Sequence, residues 1–141
     1  MTKTTLTFRA RLALLIKHLL AALYDLLLLF SVLFVVTGLV VLLNGGERVG
    51  AWLVAPLALL VAGYFYVFFW IKGGQTLGMR AWHIAYFGAD GGLPSGRAAL
   101  LRFAVMVLTL GAGSLWILFD PQGRTLQDKL SGLYCRVIPK R

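Results

Sequence analysis

The sequence predicts an all-α integral membrane protein with two full transmembrane helices and a third, glycine-broken apolar segment. Three observations support this fold class. Of the 141 residues, 60% are hydrophobic and only 13% are charged, whereas soluble domains carry about 25% charged residues. Two apolar stretches are long enough to cross a bilayer. Basic residues lie mainly in the segments that flank the apolar stretches.

The first two apolar segments are the predicted spans. They cover about residues 19–43 and 49–71, and each reaches the roughly 20 residues that a membrane helix needs. The first carries one charged side chain, Asp25, and the second carries none. Because the first segment exceeds the roughly 7 to 15 apolar residues of a signal peptide, we expect it to be retained as a span.

The third apolar segment, about residues 98–119, is interrupted by Arg102 and contains the sequence GAG at Gly111–Gly113. A re-entrant hairpin that turns back at these glycines would leave both ends of the segment on one side of the membrane. A full third span would separate the two ends. We favour the hairpin, because the flanks before and after the segment are both basic; the full span remains the alternative.

The distribution of basic residues predicts the orientation of the chain. The net charge is +9. The membrane domain is taken as residues 19–138. The basic segments are the N-terminus 1–18, the connector 72–97, the tail region 120–138 and the C-terminal end 139–141. Cytoplasmic flanks of membrane proteins collect Lys and Arg. We therefore expect both termini in the cytoplasm and anionic lipid headgroups as partners. No nucleic acid partner is expected.

Two short stretches of the chain resemble each other. GQTLGMR at 74–80 and GRTLQDK at 123–129 align at an offset of 49 residues and share Gly, Thr, Leu and a basic residue. Thr76 and Thr125 are suitable N-caps for short helices. The candidate residues of this interfacial motif are Gln75, Thr76, Arg80, Arg124, Thr125 and Asp128.

Each of these stretches is followed by a strand-like sequence. WHIAYF, Trp82–Phe87, and LYCRVI, Leu133–Ile138, are rich in aromatic and branched residues, which is typical of strands. We therefore expect two short interfacial helices and a small strand pair at the cytoplasmic face. Asp128 follows Thr125 with the spacing of a capping box, T-x-x-D.

Asp25 and Arg102 are the candidate ion or proton site. A charged group at the centre of a membrane helix costs about 2.5–3.5 kcal/mol on insertion scales, and such groups are commonly functional. At about 1.5 Å per residue, Asp25 lies roughly 9 Å and Arg102 roughly 6 Å from the same membrane face. Because the depths are similar, the two side chains can meet if their helices are neighbours. The contact would be either a static ion pair between helices or a titrating site biased by Arg102.

His18 is the third candidate, seven residues before Asp25 on nearly the same helix face. Imidazole titrates near neutral pH, so a His18–Asp25 proton relay is one interpretation. The alternative is an interfacial histidine beside Lys17 that faces lipid headgroups.

Enzyme signatures are lacking in the sequence. The two histidines are His18 and His83, the single cysteine is Cys135 without an evident base, and the glycine-rich ADGG sequence lacks the strand–loop–helix setting of a phosphate loop. We therefore expect no catalytic residues, no metal and no cofactor.

Three blocks of the sequence carry a family likeness: KHLLAALYDLLLL, GGQTLGMRAWHIAYFGADGGLPSGRAALLRF and LFDPQGRTLQDKLSGLYCRV. They resemble the RDD family of small bacterial membrane proteins, which is named for one arginine and two aspartates. The likeness runs from about Lys17 to Ile138. It implies that Asp25 and Asp128 are the two aspartates. The family arginine precedes the first aspartate by about two turns, where this chain has His18 with Lys17 adjacent. The resemblance implies the cytoplasmic membrane of a bacterium and a transport activity such as cation/proton exchange.

The combined expectation is a small membrane transporter in which protonation of Asp25 competes with a monovalent cation. Arg102 would set the affinity of the site, and His18 would lie at its cytoplasmic mouth. One copy offers few helices to enclose a polar path, so a homo-oligomer is expected. The alternative is a non-transporting membrane scaffold or assembly factor in which the aspartate–arginine pair is structural.

Overall fold

The computed structural model describes residues 5–139. Residues 1–4 and 140–141, which include Lys3, Lys140 and Arg141 of the basic flanks, lie outside this range. In chain order the elements are α1 (Phe8–Leu43), α2 (Ala51–Gly73), α3 (Leu77–Ala81), β1 (Ile84–Phe87), α4 (Gly96–Leu108), a 3₁₀ helix (Ala112–Leu118), α5 (Leu126–Ser131) and β2 (Tyr134–Val137).

Helix α1 is longer than the predicted first span. It begins after Thr7, whose hydroxyl accepts a hydrogen bond from the Ala10 amide, so basic residues of the N-terminus belong to the same helix as the apolar run. Its 36 residues correspond to about 54 Å, well beyond the roughly 30 Å of a hydrocarbon core. Its buried residues lie between Leu14 and Leu29, so this stretch of the helix packs against the rest of the chain.

Helix α2 confirms the second predicted span. Its 23 residues correspond to about 35 Å, and it ends at Gly74, which adopts a left-handed conformation with φ 70°. Both long helices expose large apolar side chains, among them Phe30 and Phe34 of α1 and Leu60 of α2. Such surfaces fit a lipid environment, because hydrocarbon solvates them without cost. The described residues thus contain two helices that are long and apolar enough to cross a membrane.

The third apolar segment is bent by 101° between α4 and the 3₁₀ helix. Leu110 and Gly111 both have positive φ at the bend, 53° and 79°, and glycine adopts this conformation without strain. The predicted break at the glycines is therefore confirmed. β1, before the bent pair, is hydrogen-bonded to β2, after it. The bent pair therefore starts and ends beside one two-stranded sheet, an arrangement that the hairpin interpretation predicts.

The predicted strand pair is confirmed with shorter bounds. β1 and β2 are antiparallel, with Ile84 opposite Val137 and Phe87 opposite Tyr134. The first strand begins later than predicted because His83 lies in the left-handed region, with φ 55°, which interrupts extended backbone. This two-stranded sheet and the short helices α3 and α5 form a layer beside the N-terminal half of α1. The buried core beneath this layer includes Met79, Ile84 and Tyr86 of the layer itself, Trp70 of α2 and Ala99 of α4.

Candidate functional site

Asp25 is buried between α1 and the start of α3. Its side chain is 2% exposed. The Gly78 amide donates a hydrogen bond to Asp25 Oδ1 at 2.8 Å, and the Thr76 hydroxyl donates to Asp25 Oδ2. Hydrogen bonds to an ionised acceptor are about twice as strong as neutral ones. The carboxylate is thus held by two donors, both from the first turn of α3.

The internal repeat explains why a carboxylate is needed at this position. In α5, Thr125 accepts from the Asp128 amide and Asp128 accepts from the Thr125 amide, which completes a capping box. The equivalent of Asp128, 49 residues earlier, is Met79, which has no carboxylate. Asp25 therefore supplies to α3, from a different helix, the acidic group that α5 carries in its own sequence.

Gly78 permits the close approach of α3 to α1. A Cβ atom at this position would overlap the Ala21 carbonyl oxygen and lie 3.0 Å from Asp25 Cγ. Real Cβ contacts with backbone at such distances are almost never seen. A side chain at residue 78 would consequently push α3 away from the carboxylate that it binds.

Arg102 does not form the predicted ion pair with Asp25. Its Nε donates to Asp128 Oδ1 at 2.8 Å, and its Nη2 donates to the Tyr86 hydroxyl. The guanidinium carbon lies 3.9 Å from the Tyr86 ring centroid and 4.5 Å from that of Trp70. The prediction was wrong because α4 packs against α5, which brings Asp128 next to Arg102. The hydrogen-bond donors of Asp25 come instead from Thr76 and Gly78 at the start of α3.

His18 lies inside the protein, 7% exposed, so the interpretation of a headgroup-facing histidine is wrong. Its Nδ1 is 2.9 Å from the Leu14 carbonyl oxygen. A carbonyl only accepts hydrogen bonds, so Nδ1 carries a proton and Nε2 is the atom left to accept one. Among the described residues, Nε2 has no hydrogen-bond partner.

A cavity of about 60 Å³ joins these groups. This volume exceeds the roughly 10–15 Å³ that one buried water needs. Two further buried polar atoms on its walls, Trp70 Nε1 and Gln127 Oε1, also lack partners within residues 5–139. The polar residues that line it are His18, Asp25, Thr76, Arg102, Ser114 and Gln127, together with Tyr66, Trp70 and Tyr86. The side chains that line the cavity can therefore donate hydrogen bonds to, and accept hydrogen bonds from, a small polar ligand.

Gln127 enters the cavity wall from α5. Its Nε2 donates to Ser114 Oγ at 3.3 Å. Its Oε1 occupies the space that a Cβ on Gly113 would fill. The second glycine of the GAG sequence thus makes room for this carbonyl, a role that the sequence pattern alone did not indicate.

The remaining interfacial motif residues have other contacts. Gln75 donates to the Ile84 carbonyl at 3.0 Å and Arg80 is exposed. Arg124 donates to the carbonyls of Asp128 and Leu133. Of the motif, only Thr76 touches Asp25 and only Asp128 touches Arg102.

Asp120, which directly precedes Pro121 after the third apolar segment, is buried. It pairs with Lys129 Nζ at 2.9 Å and accepts from the amides of Gln122 and Arg124. Burial alone would raise the pKa of this carboxyl, but the hydrogen bonds from Lys129 and the two amides outweigh burial and lower the pKa. Asp120 therefore stabilises the turn into α5 in its ionised form.

No group of three or more His, Cys, Asp and Glu residues able to hold a metal ion is present in the described part of the chain. The fold and the site together define a small membrane protein whose spans are joined to a layer of short helices and strands through a buried polar centre. The RDD family profile matches residues 12–132. The chain therefore belongs to the RDD family. No curated protein and no solved structure matches it.

Proposed function

We propose that the protein exchanges protons for monovalent cations across the membrane, using the buried polar centre. The observation that carries this proposal is a charge imbalance. With both carboxylates ionised, Asp25 and Asp128 carry two negative charges, and Arg102 supplies one positive charge. One negative charge is left when His18 is neutral. An unpaired buried charge is costly, so the centre favours one additional proton or one monovalent cation.

The polar lining suits such an occupant. Each carboxylate oxygen has more than one lone pair, so the hydrogen bonds from Gly78 and Thr76 leave acceptor capacity on Asp25. Gln127 Oε1 adds a free carbonyl oxygen. Transporter sites for Na⁺ and H⁺ use oxygen groups beside interrupted helices in this way. The one excess negative charge of the site can be neutralised by a proton or by a cation. Binding of one would therefore exclude binding of the other, and exchange requires this mutual exclusion.

The surroundings of the site are part of the proposal. Two spans and a bent pair offer few helices to enclose a polar path across the membrane, so transport would use a homo-oligomer. Both termini would lie in the cytoplasm of a bacterial cell, with the basic flanks against anionic headgroups. This activity needs no catalytic group.

A structural role is the second candidate, and a specific observation favours it. Both oxygens of Asp25 have donors and Arg102 is ion-paired, so these two side chains fasten α1 to α3 and α4 to α5. In a scaffold or assembly factor, these links would serve to hold the interfacial layer on the spans.

Flux measurements in proteoliposomes separate the two candidates. The wild type and Asp25→Asn are compared for Na⁺, K⁺ and H⁺ movement, with Asp90→Asn as a matched control at an exposed turn. We expect exchange in the wild type and the control, and its loss in Asp25→Asn at preserved folded yield. If the wild type moves none of these ions under any gradient, exchange is excluded. If Asp25→Asn lowers only the folded yield, the structural role is favoured.

A further inference from the structure

We propose that the exchanged proton is carried by His18 at Nε2, and that Asp25 stays an ionised carboxylate throughout. This inference rests on the proposed exchange function and assigns the proton to one atom of the site. It reverses the expectation from the sequence, in which Asp25 itself was the proton carrier.

The hydrogen bonds around Asp25 oppose its protonation. Both donors, the Gly78 amide and the Thr76 hydroxyl, point at the carboxylate, and donors to a carboxylate favour its charged form. The amide cannot reverse its direction to accept a proton from a carboxylic acid. The Thr76 oxygen already accepts from the Met79 amide at 3.2 Å. A proton on Asp25 would thus weaken the hydrogen bond that the carboxylate accepts from the Gly78 amide or from the Thr76 hydroxyl.

His18 has the opposite arrangement. Its Nδ1–H is fixed on the Leu14 carbonyl, so the free lone pair of the neutral ring is on Nε2. This atom is buried, has no partner within the described residues and belongs to a side chain that lines the cavity. A proton arriving there fills an unused position and breaks no existing hydrogen bond.

The charges around His18 oppose the desolvation cost that burial imposes on an imidazolium ion. The titratable and charged groups that face it are Asp25 from its own helix, Tyr66 from α2, Tyr86 from β1, Arg102 from α4 and Asp128 from α5. The tyrosines are neutral near pH 7. The remaining three groups sum to one negative charge, which one imidazolium neutralises.

The unpaired polar atoms of Trp70 and Gln127 provide a route for the proton. The indole Nε1–H donates and the amide Oε1 accepts, so together they can orient a water in the cavity. A hydronium ion that enters transfers one proton to Nε2, which leaves a neutral water and an imidazolium ion. When a monovalent cation binds near Asp25, the imidazolium returns that proton to water, and the charge of the centre is unchanged.

The first test observes the proton directly by NMR of protein in lipid bilayers. The chain has two histidines, so the variant His83→Asn leaves His18 as the only imidazole; asparagine tolerates the left-handed conformation at this position. We expect Nδ1 to be protonated at high pH, Nε2 to gain a proton as the pH falls, and added Na⁺ or K⁺ to remove it. The Asp25 carboxyl carbon should retain its ionised signal. Titration of Asp25 with a neutral His18 would overturn the proposal, as would an Nε2 that is protonated in the neutral ring.

The second test uses His18→Gln, which keeps a polar side chain but cannot carry the proton. In the wild type, the apparent cation affinity should fall about tenfold per pH unit below the pKa of the carrier, since one proton competes with one cation. In His18→Gln this pH dependence should disappear, while His83→Asn should retain it. An unchanged pH dependence in folded His18→Gln would overturn the proposal. A wild type without any exchange would refute the proposed function, and the NMR titration would still decide which group is protonated.

Discussion

The Gly78 amide donates a hydrogen bond of 2.8 Å to Asp25 Oδ1, across 53 residues of sequence. This contact joins a membrane-spanning helix to the first turn of a short interfacial helix. It explains the presence of a carboxylate in an apolar run, since α3 lacks the acidic residue that caps its repeat equivalent, α5. The same contact defines one wall of the cavity in which the proposed exchange takes place.

The first prediction concerns Gly78. Gly78→Ala should lower the free energy of unfolding by at least about 1–3 kcal/mol, because overpacking carries a cost of this size and the added methyl group would overlap Ala21. Gly73→Ala is the matched control, since a Cβ there meets nothing within 4 Å. Thermal unfolding in detergent measures the difference. Equal unfolding temperatures for the two variants would show that α3 does not contact α1 at this point.

The second prediction uses the internal repeat. Thr76→Val and Thr125→Val each remove an N-cap, which costs about 0.5–2 kcal/mol. Thr76→Val should cost about 1–3 kcal/mol more, because it also deprives the buried Asp25 of a donor. Chemical denaturation of both variants gives the comparison. A cost for Thr125→Val equal to or greater than that for Thr76→Val would contradict the link between Thr76 and Asp25.

A double-mutant cycle extends this prediction. Thr76→Val and Asp25→Asn should show a coupling energy of about 0.5–3 kcal/mol, as expected for residues in direct contact. The pair Thr125→Val and Asp25→Asn should be additive within about 0.5 kcal/mol.

The third prediction concerns the Arg102–Asp128 pair. Asp128→Asn should lower the free energy of unfolding by about 3–5 kcal/mol, because it leaves a buried guanidinium without its counter-charge. Arg102→Lys should also be destabilising, since an ammonium cannot reproduce the contacts of the planar guanidinium with the Trp70 and Tyr86 rings. Unfolding in denaturant measures both effects. A lysine variant as stable as the wild type would show that the aromatic contacts contribute little.

The fourth prediction is a pH dependence that arises from Asp120. Its pKa in the folded protein is below the ordinary value of 3.8, so its ionisation stabilises the fold at pH values above 3.8. This contribution is lost as the pH falls from about 3.8 through the folded-state pKa. The unfolding temperature of the wild type should drop more steeply in this range than that of Asp120→Asn. Parallel curves for the two proteins would show that Asp120 does not contribute.

Much of the architecture is predictable from the sequence because it depends on local patterns. Apolar length predicts α1 and α2, the glycines near Gly111 predict the bend, and the repeated threonines predict the starts of α3 and α5. These features depend on hydropathy, backbone freedom and capping, which neighbouring residues determine. The alternation that marks β1 and β2 is local in the same sense.

The contacts of the site were less predictable because they depend on packing between distant segments. Depth along two helices suggested that Asp25 meets Arg102, but it carries no information on which helices are neighbours. The partner of Asp25 could have been inferred from Met79, the position at which the repeat loses its acidic residue. No local pattern marks Trp70 or Gln127 as lining a cavity, since their role follows from the fold alone.

The proposed exchange requires that the buried centre carries one excess negative charge, neutralised by either a proton or a monovalent cation. The most direct test is proton release from purified protein in weakly buffered detergent near neutral pH, on addition of NaCl, KCl or LiCl, with choline chloride as the control. We expect about one proton to be released per bound cation in the wild type. We expect no release in folded Asp25→Asn, in which the excess charge is absent. Failure of the wild type to release protons with any of the three salts, or equal release from Asp25→Asn, would contradict proton–cation exchange at this centre.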